Sequence, residues 1–361
     1  MRLDRPIQNA LLGVFALLAA ATGWSADQPG ADLPPRQVTW AHLLGSGSIT
    51  LYTENDRYFA GTDRHYTNGF KLSFLGDTNL NHSPEFVQTV AKFIPTLPEK
   101  TAEEQDYRVG VSIGQNIYTP TEIHTPTPDP ADRPYAAWLY GALTFQAKDR
   151  KRDLLRVVEF DFGVVGPSAL GEEIQNGVHS LLHIPHAEGW AHQLHDEPGF
   201  ILAWERRYGI KRIKSRGDLL GADVLGHYGL SLGNVDTSAR TGLMARFGLR
   251  LPQDFGPDLI RVAGGDTSPA TRFSMYFFGS AEGHAVGRNI FLDGNSWRSS
   301  PSVAKRPLTA DFNYGTVLRF PAHYGILSGL QIAYTQNYRT KEFYGQAQRD
   351  AFGSLAVSFL H

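Results

Sequence analysis

From residue 47 onward, apolar and polar side chains exchange places every second position, the period of an extended strand with two unlike faces. Tyr107, Val109, Val111 and Ile113 share one face, with Arg108, Gly110, Ser112 and Gly114 on the other. Leu243, Ala245, Phe247, Leu249 and Leu251 alternate in the same way with Arg240, Gly242, Met244, Arg246, Gly248 and Arg250. The pattern returns at Phe70/Leu72/Phe74, along Phe312–Phe320 and along Ile326–Tyr334. It predicts twelve strands, near 48–53, 66–75, 107–115, 135–147, 154–164, 200–208, 218–232, 239–251, 271–281, 308–320, 323–336 and 350–361. In a soluble sandwich the polar face meets water and the apolar face meets a second sheet. Here the polar face is rich in Arg, Gly and Ser over many long strands, and aromatics gather near strand ends. That is the pattern of a barrel with lipid outside and a polar lumen. An even strand number suits a bacterial barrel, and closure pairs every edge inside hydrocarbon. The expected fold is all-β: a twelve-stranded antiparallel transmembrane β-barrel with a short helix in an extracellular loop.

The beginning of the chain breaks this pattern. Arg2 and Arg5 precede the apolar run Ala10–Ala21, and small residues follow at Gly23, Ser25 and Ala26. This reads as a cleaved signal peptide over 1–26, followed by one barrel domain over 27–361. The run is short for a membrane-spanning helix and no other long apolar run exists, which excludes a helical membrane bundle. The chain has 361 residues, 34 basic and 36 acidic, so bulk basicity does not recruit nucleic acid. Removing residues 1–26 takes away two Arg and one Asp and moves the net charge from −2 to −3. With no cysteine in an exported chain, neither disulfides nor thiolate chemistry contribute.

If the N-terminus starts in the periplasm, strand parity places 54–65, 116–134, 165–199, 233–238, 282–307 and 337–349 outside the cell. The opposite connections are short, except 76–106, which carries a helix-like piece around Ser83–Phe93. The first three outer connections hold the densest polar chemistry. One carries Glu54-Asn55-Asp56-Arg57 and Asp63–Gly69, the second runs from Gln115-Asn116 to Asp132-Arg133-Pro134, and the third opens at Gly166-Pro167-Ser168. Read as a helix capped by Ser168, the third puts Glu172, Gln175 and His179 on one face. A solvated polar face is the plain reading of that spacing. The chemical reading makes His179 a general base, because imidazole titrates near neutrality. His179 and His183 at i, i+4 could also ligate zinc, but no HExxH surrounds them. Asn55-Asp56 offers hard oxygens of the kind calcium takes, too few for a full shell. Gly229–Gly233 matches the GxSxG elbow pattern, yet it ends a strand rather than turning into a helix. Asp223, His227 and Ser231 share that strand's face at spacings of about 13 Å, too far for a triad.

Taken together, Asn55-Asp56, the Asp-x-x-Tyr-Thr-x-Gly segment Asp63–Gly69, Asn116-Ile117-Tyr118-Thr119-Pro120, Asp132–Trp138 and Gly163–Pro167 through His179 resemble the outer-membrane lipid A 3'-O-deacylase family. The motif resemblance covers roughly 48–195 and extends over the later strands as barrel architecture. It implies a twelve-stranded outer-membrane barrel. It also implies calcium-dependent hydrolysis of the ester holding the 3'-linked acyloxyacyl chain of lipid A. By matching motif, the implied site residues are Asn55, Asp56, Thr67, Gln175 and His179. His179 would be the base that activates water, Asp56 would hold Ca2+, and the others would orient water, substrate or ligands. The implied partner is lipid A or lipopolysaccharide. Two departures are plain: residues 116–134 contain no lysine where the family pattern carries one, and the chain ends in His361 rather than phenylalanine. Other readings are an outer-membrane phospholipase, which needs a serine beside the histidine, and a channel or adhesin without catalysis. Only Ser168 and Ser180 lie near enough in sequence to serve the former.

Overall fold

The structure is a computed structural model that describes residues 47–56, 58, 65–78, 105–257 and 270–360. The expected signal peptide and the helix-like piece near 83–93 lie outside the described residues. Twelve antiparallel strands follow one another in order, and β1 (Gly47–Asn55) closes the sheet by pairing with β12 (Asp350–Leu360). Between them run β2 (His65–Thr78), β3 (Gln105–Thr119), β4 (Ala136–Asp149), β5 (Leu154–Val165), β6 (Glu197–Lys214), β7 (Leu220–Gly233), β8 (Asp236–Leu249), β9 (Ser274–Asn289), β10 (Leu308–Arg319) and β11 (Leu330–Arg339). Helix α1 (Gly171–Leu182) lies in the β5–β6 connection, and the single turn α2 (Ile290–Asp293) follows β9. None of the described helices is long and apolar enough to cross a membrane.

Alternation decides which way each side chain points. Val111, Ile113, Phe160, Phe162, Phe200, Leu202, Phe247 and Phe277 are exposed on the outer wall. Their strand neighbours turn inward, and the lumen is bridged by charge. Lys71 on β2 reaches across to β5 and donates to Glu159 Oε1 at 2.9 Å, while Thr144 donates to Oε2 at 2.7 Å. Both charged side chains are fully buried. Arg246 grips Asp223 with two bonds of 2.8 and 2.7 Å and also pairs with Asp254, which Arg319 reaches at 3.1 Å. Glu205 lies between Arg207 and Arg240, at 2.5 and 2.9 Å. A buried charge is tolerated only when paired and hydrogen-bonded, and these are.

All twelve expected strands are present, but two of their bounds change most. Alternation through Ile326–Tyr334 put the eleventh strand at 323–336, whereas Gly325–Leu327 forms a 3-10 turn and β11 begins at Leu330. The ninth strand was expected over 271–281, and β9 runs on to Asn289. Its outward positions there are Ala281, Gly283, Ala285 and Gly287, too small to register as a hydrophobic face. Thus Glu282 and His284, expected in an outer loop, belong to the barrel wall. GxSxG does end β7 as expected, and Ser231 Oγ is bound by Arg240 at 3.1 Å.

Candidate active site on the outer wall

Thr67 reaches the site through a bulge. Along β2, Lys71 points into the lumen, and unbroken alternation would send Thr67 there too. The β2–β3 register instead slips between Tyr66 and Asn68. A bulge of this kind inserts one unpaired residue and re-aims its side chain. The Thr67 hydroxyl lies 2.6 Å from that of Thr119, both buried. Thr119 has the same strand parity as the exposed Val111 and Ile113, so this pair sits on the outer wall. Asn55, half-buried, ends β1 opposite Asn68, and Asp56 follows it in a turn, 2% exposed. Asn55, Asp56 and Thr67 therefore form one group at the outer ends of β1 and β2.

The second group is carried by α1. Its start is set by Leu170 in the left-handed conformation, with no side-chain cap. Ser168 does not cap it: Asp196 accepts from both the Ser168 N–H and Oγ at 2.8 Å and draws the residue into a separate 3-10 turn. The buried stripe is Gly171, Gln175 and His179, and Glu172 faces solvent, so the expected triplet loses one member and gains a glycine. A Cβ at Gly171 would lie 2.6 Å from both the Ala137 side chain and the Trp190 ring. The helix can therefore rest directly on β4. Gly171→Val is expected to lift α1, at an overpacking cost of about 1–3 kcal/mol, and to speed proteolytic cleavage within 171–183 by about tenfold. Limited proteolysis with the barrel core as internal standard measures this.

Between α1 and the wall lies an apolar cluster of Ile117, Ile123, Tyr135, Ala137, Ala169, Ala187 and Trp190. Gln115 on β3 fastens the helix entry by donating to Ala169 O at 2.6 Å. Asn176 holds the return segment with two bonds to Ala187, at 3.1 and 2.8 Å. Within this packing Trp190 Nε1 donates to Gln175 Oε1 at 2.9 Å, and Gln175 Nε2 is buried without a hydrogen bond among the described residues. His179 Nδ1 lies 2.7 Å from Pro185 O, a carbonyl that can only accept. In the neutral ring this contact places the proton on Nδ1 and the lone pair on Nε2. His183 is exposed, and among the described residues no cluster of three or more metal-ligating side chains includes it or His179.

β3 joins the two groups, with Thr119 on Thr67 and Gln115 at the root of α1. Arg133, the only arginine of residues 116–134, lies elsewhere. It is buried over the Tyr118 ring at 5.1 Å and pairs with Glu342 at 3.4 Å, at the mouth of the lumen. Thr119 stood within a recognised motif, whereas Trp190 and the Pro185 carbonyl carried no sequence signal. The face of α1 turned from the wall exposes Ile174, Val178 and Leu181.

A family model described as outer membrane protein LpxR matches residues 12–361. The chain belongs to that family. As an LpxR-family protein it is an outer-membrane barrel of the lipid A deacylase type. It shares 18% identity with the solved LpxR from Salmonella typhimurium, over 87% of this chain and 100% of that one, with a TM-score of 0.69. That likeness shows the common LpxR fold. The β domain of the Bordetella autotransporter BrkA aligns over 88% of this chain and 99% of its own, at 8% identity and TM-score 0.43. The translocator domain of NalP from Neisseria meningitidis aligns over 99% and 98%, at 10% identity and TM-score 0.41. Among curated protein sequences, none matches the chain.

Proposed function

We propose that the chain is a calcium-dependent carboxylic ester hydrolase that releases the 3'-linked acyloxyacyl chain of lipid A in the outer leaflet. The observation that carries the reading is the His179–Pro185 hydrogen bond on a helix packed against the outer wall. It leaves Nε2 as the basic nitrogen, the form a general base needs to take a proton from water. Around it, Gln175 Nε2 is a buried donor with capacity to spare for a substrate or water oxygen. Thr67 and Asn55 orient water, substrate or ligands from the other side of β3.

The donor set fits calcium: a buried carboxylate at Asp56 and a side-chain carbonyl at Asn55 are hard oxygen ligands. Asp56 would hold the ion, which when bound offers positive charge to the oxyanion of an ester under attack. The site opens on the outer wall beside exposed apolar side chains, so an acyl chain has access from the leaflet without entering the lumen. No observation favours the phospholipase reading. Ser168 is tied to Asp196, and Ser180 is exposed, bonding Asn176 O at 2.9 Å and lying 2.7 Å from His186 Nε2.

Mass spectrometry of lipid A from cells producing the chain tests this. The parent is expected to remove one acyloxyacyl unit, and either Asp56→Ala or a calcium chelator to abolish the change. Unchanged lipid A, with the barrel folded and calcium present, sinks the proposal.

A further inference from the structure

On the lumen side, away from α1, one register row crosses four strands. His227 on β7 pairs with Gly242 on β8, Gly242 with Glu282 on β9, and Glu282 with Asp311 on β10. Like charges directly opposite on one sheet face repel, and here two carboxylates stand in that relation inside a lumen. An imidazole sits between them. His284, two residues beyond Glu282 and on the same face, brings Nε2 to 2.9 Å from Glu282 Oε1 and 3.5 Å from Asp311 Oδ2.

We propose that Glu282, His284 and Asp311 form a binding site for a divalent ion of the zinc class. Their ligand atoms all lie within 4.8 Å of one another. Zinc bonds of about 2.0–2.1 Å set neighbouring tetrahedral ligands roughly 3.3 Å apart, and the two measured spacings fall on either side of that. One nitrogen with two carboxylates suits zinc, whereas calcium takes oxygen throughout. The carboxylates are also aimed by outer partners, as metal ligands usually are. His227 Nε2 bonds the other oxygen of Glu282, and Arg339 grips both oxygens of Asp311 at 2.8 and 2.9 Å. His227 reaches Glu282 over Gly242, where a Cβ would lie 2.6 Å from its Cε1 and 2.9 Å from its Nε2. A fourth ligand has room: His284, Arg339, Glu342 and Thr309 line a cavity of about 140 Å³, ample for water.

This site is separate from the one on the outer wall, and its test does not read lipid A. The full barrel is refolded in detergent, stripped with chelator, dialysed against micromolar zinc chloride, and its zinc counted per chain by atomic emission. One zinc per chain is expected. His284→Ala and Glu282→Gln are each expected to weaken binding about 100-fold, and His227→Gln about 10- to 100-fold. His179→Ala should retain the ion, which separates this cluster from the histidines of α1. Cobalt(II) loaded in place of zinc should show the intense visible bands of a four-coordinate ion, and these should vanish in His284→Ala. A folded parent that takes up no stoichiometric zinc overturns the proposal, as does full retention by His284→Ala. If that variant does not refold, His284→Asn replaces it, and the parent's zinc count and cobalt spectrum still decide.

Discussion

Replacing His179 with alanine is expected to lower turnover of the lipid substrate by about 10²- to 10⁴-fold, the usual contribution of a positioned general base. On the proposed role, in which the imidazole acts on water rather than on the acyl chain, the loss should fall on kcat. His179 is 5% exposed and its Nδ1 is fixed to the Pro185 carbonyl. It lies on a loop helix outside the strand ladder, so the variant should keep the heat-resistant migration of a closed barrel in gels. Single-turnover hydrolysis in mixed micelles, with folding checked on the same sample, gives the number. A His179→Ala chain within tenfold of the parent would remove His179 from the chemistry.

The second large effect concerns stability. Lys71→Met is expected to cost about 3–5 kcal/mol, since it leaves Glu159 as a fully buried carboxylate without its ammonium partner. Thr144 would still donate to Glu159 Oε2, but a hydroxyl does not neutralise a charge. Adding Glu159→Gln should restore most of the loss, because an amide keeps an acceptor for Thr144 and removes the stranded charge. Reversible urea unfolding in lipid vesicles compares the three chains. Equal midpoints for parent and Lys71→Met would mean that water or another cation relieves Glu159.

The strands were legible because lipid and lumen sort side chains at every second residue. Val111 and Ile113 face out, Arg108 and Ser112 face in, and no distant contact is needed to see it. Where outward residues shrink, as at Ala281 and Gly283, the signal fades and β9 was cut short. The helix in the third outer connection was legible, but its start was not. Ser168 has the chemistry of a cap, and only Asp196, 28 positions away, takes it elsewhere. Asn55, Asp56 and Thr67 were visible as motif residues, yet the bulge that turns Thr67 outward depends on pairing between β2 and β3. The lumen cluster is a more extreme case. Glu282 and Asp311 are unremarkable in sequence, and only cross-strand register makes them neighbours.

Helix α1, which presents Ile174, Val178 and Leu181 away from the wall, is carried by a barrel of the outer membrane. A catalyst anchored in this way searches a plane rather than a volume. Its encounters scale with ligand molecules per unit area, so inert detergent spread through the bilayer slows them while the bulk concentration stays the same. Adding water around the same membrane changes nothing that α1 can sense.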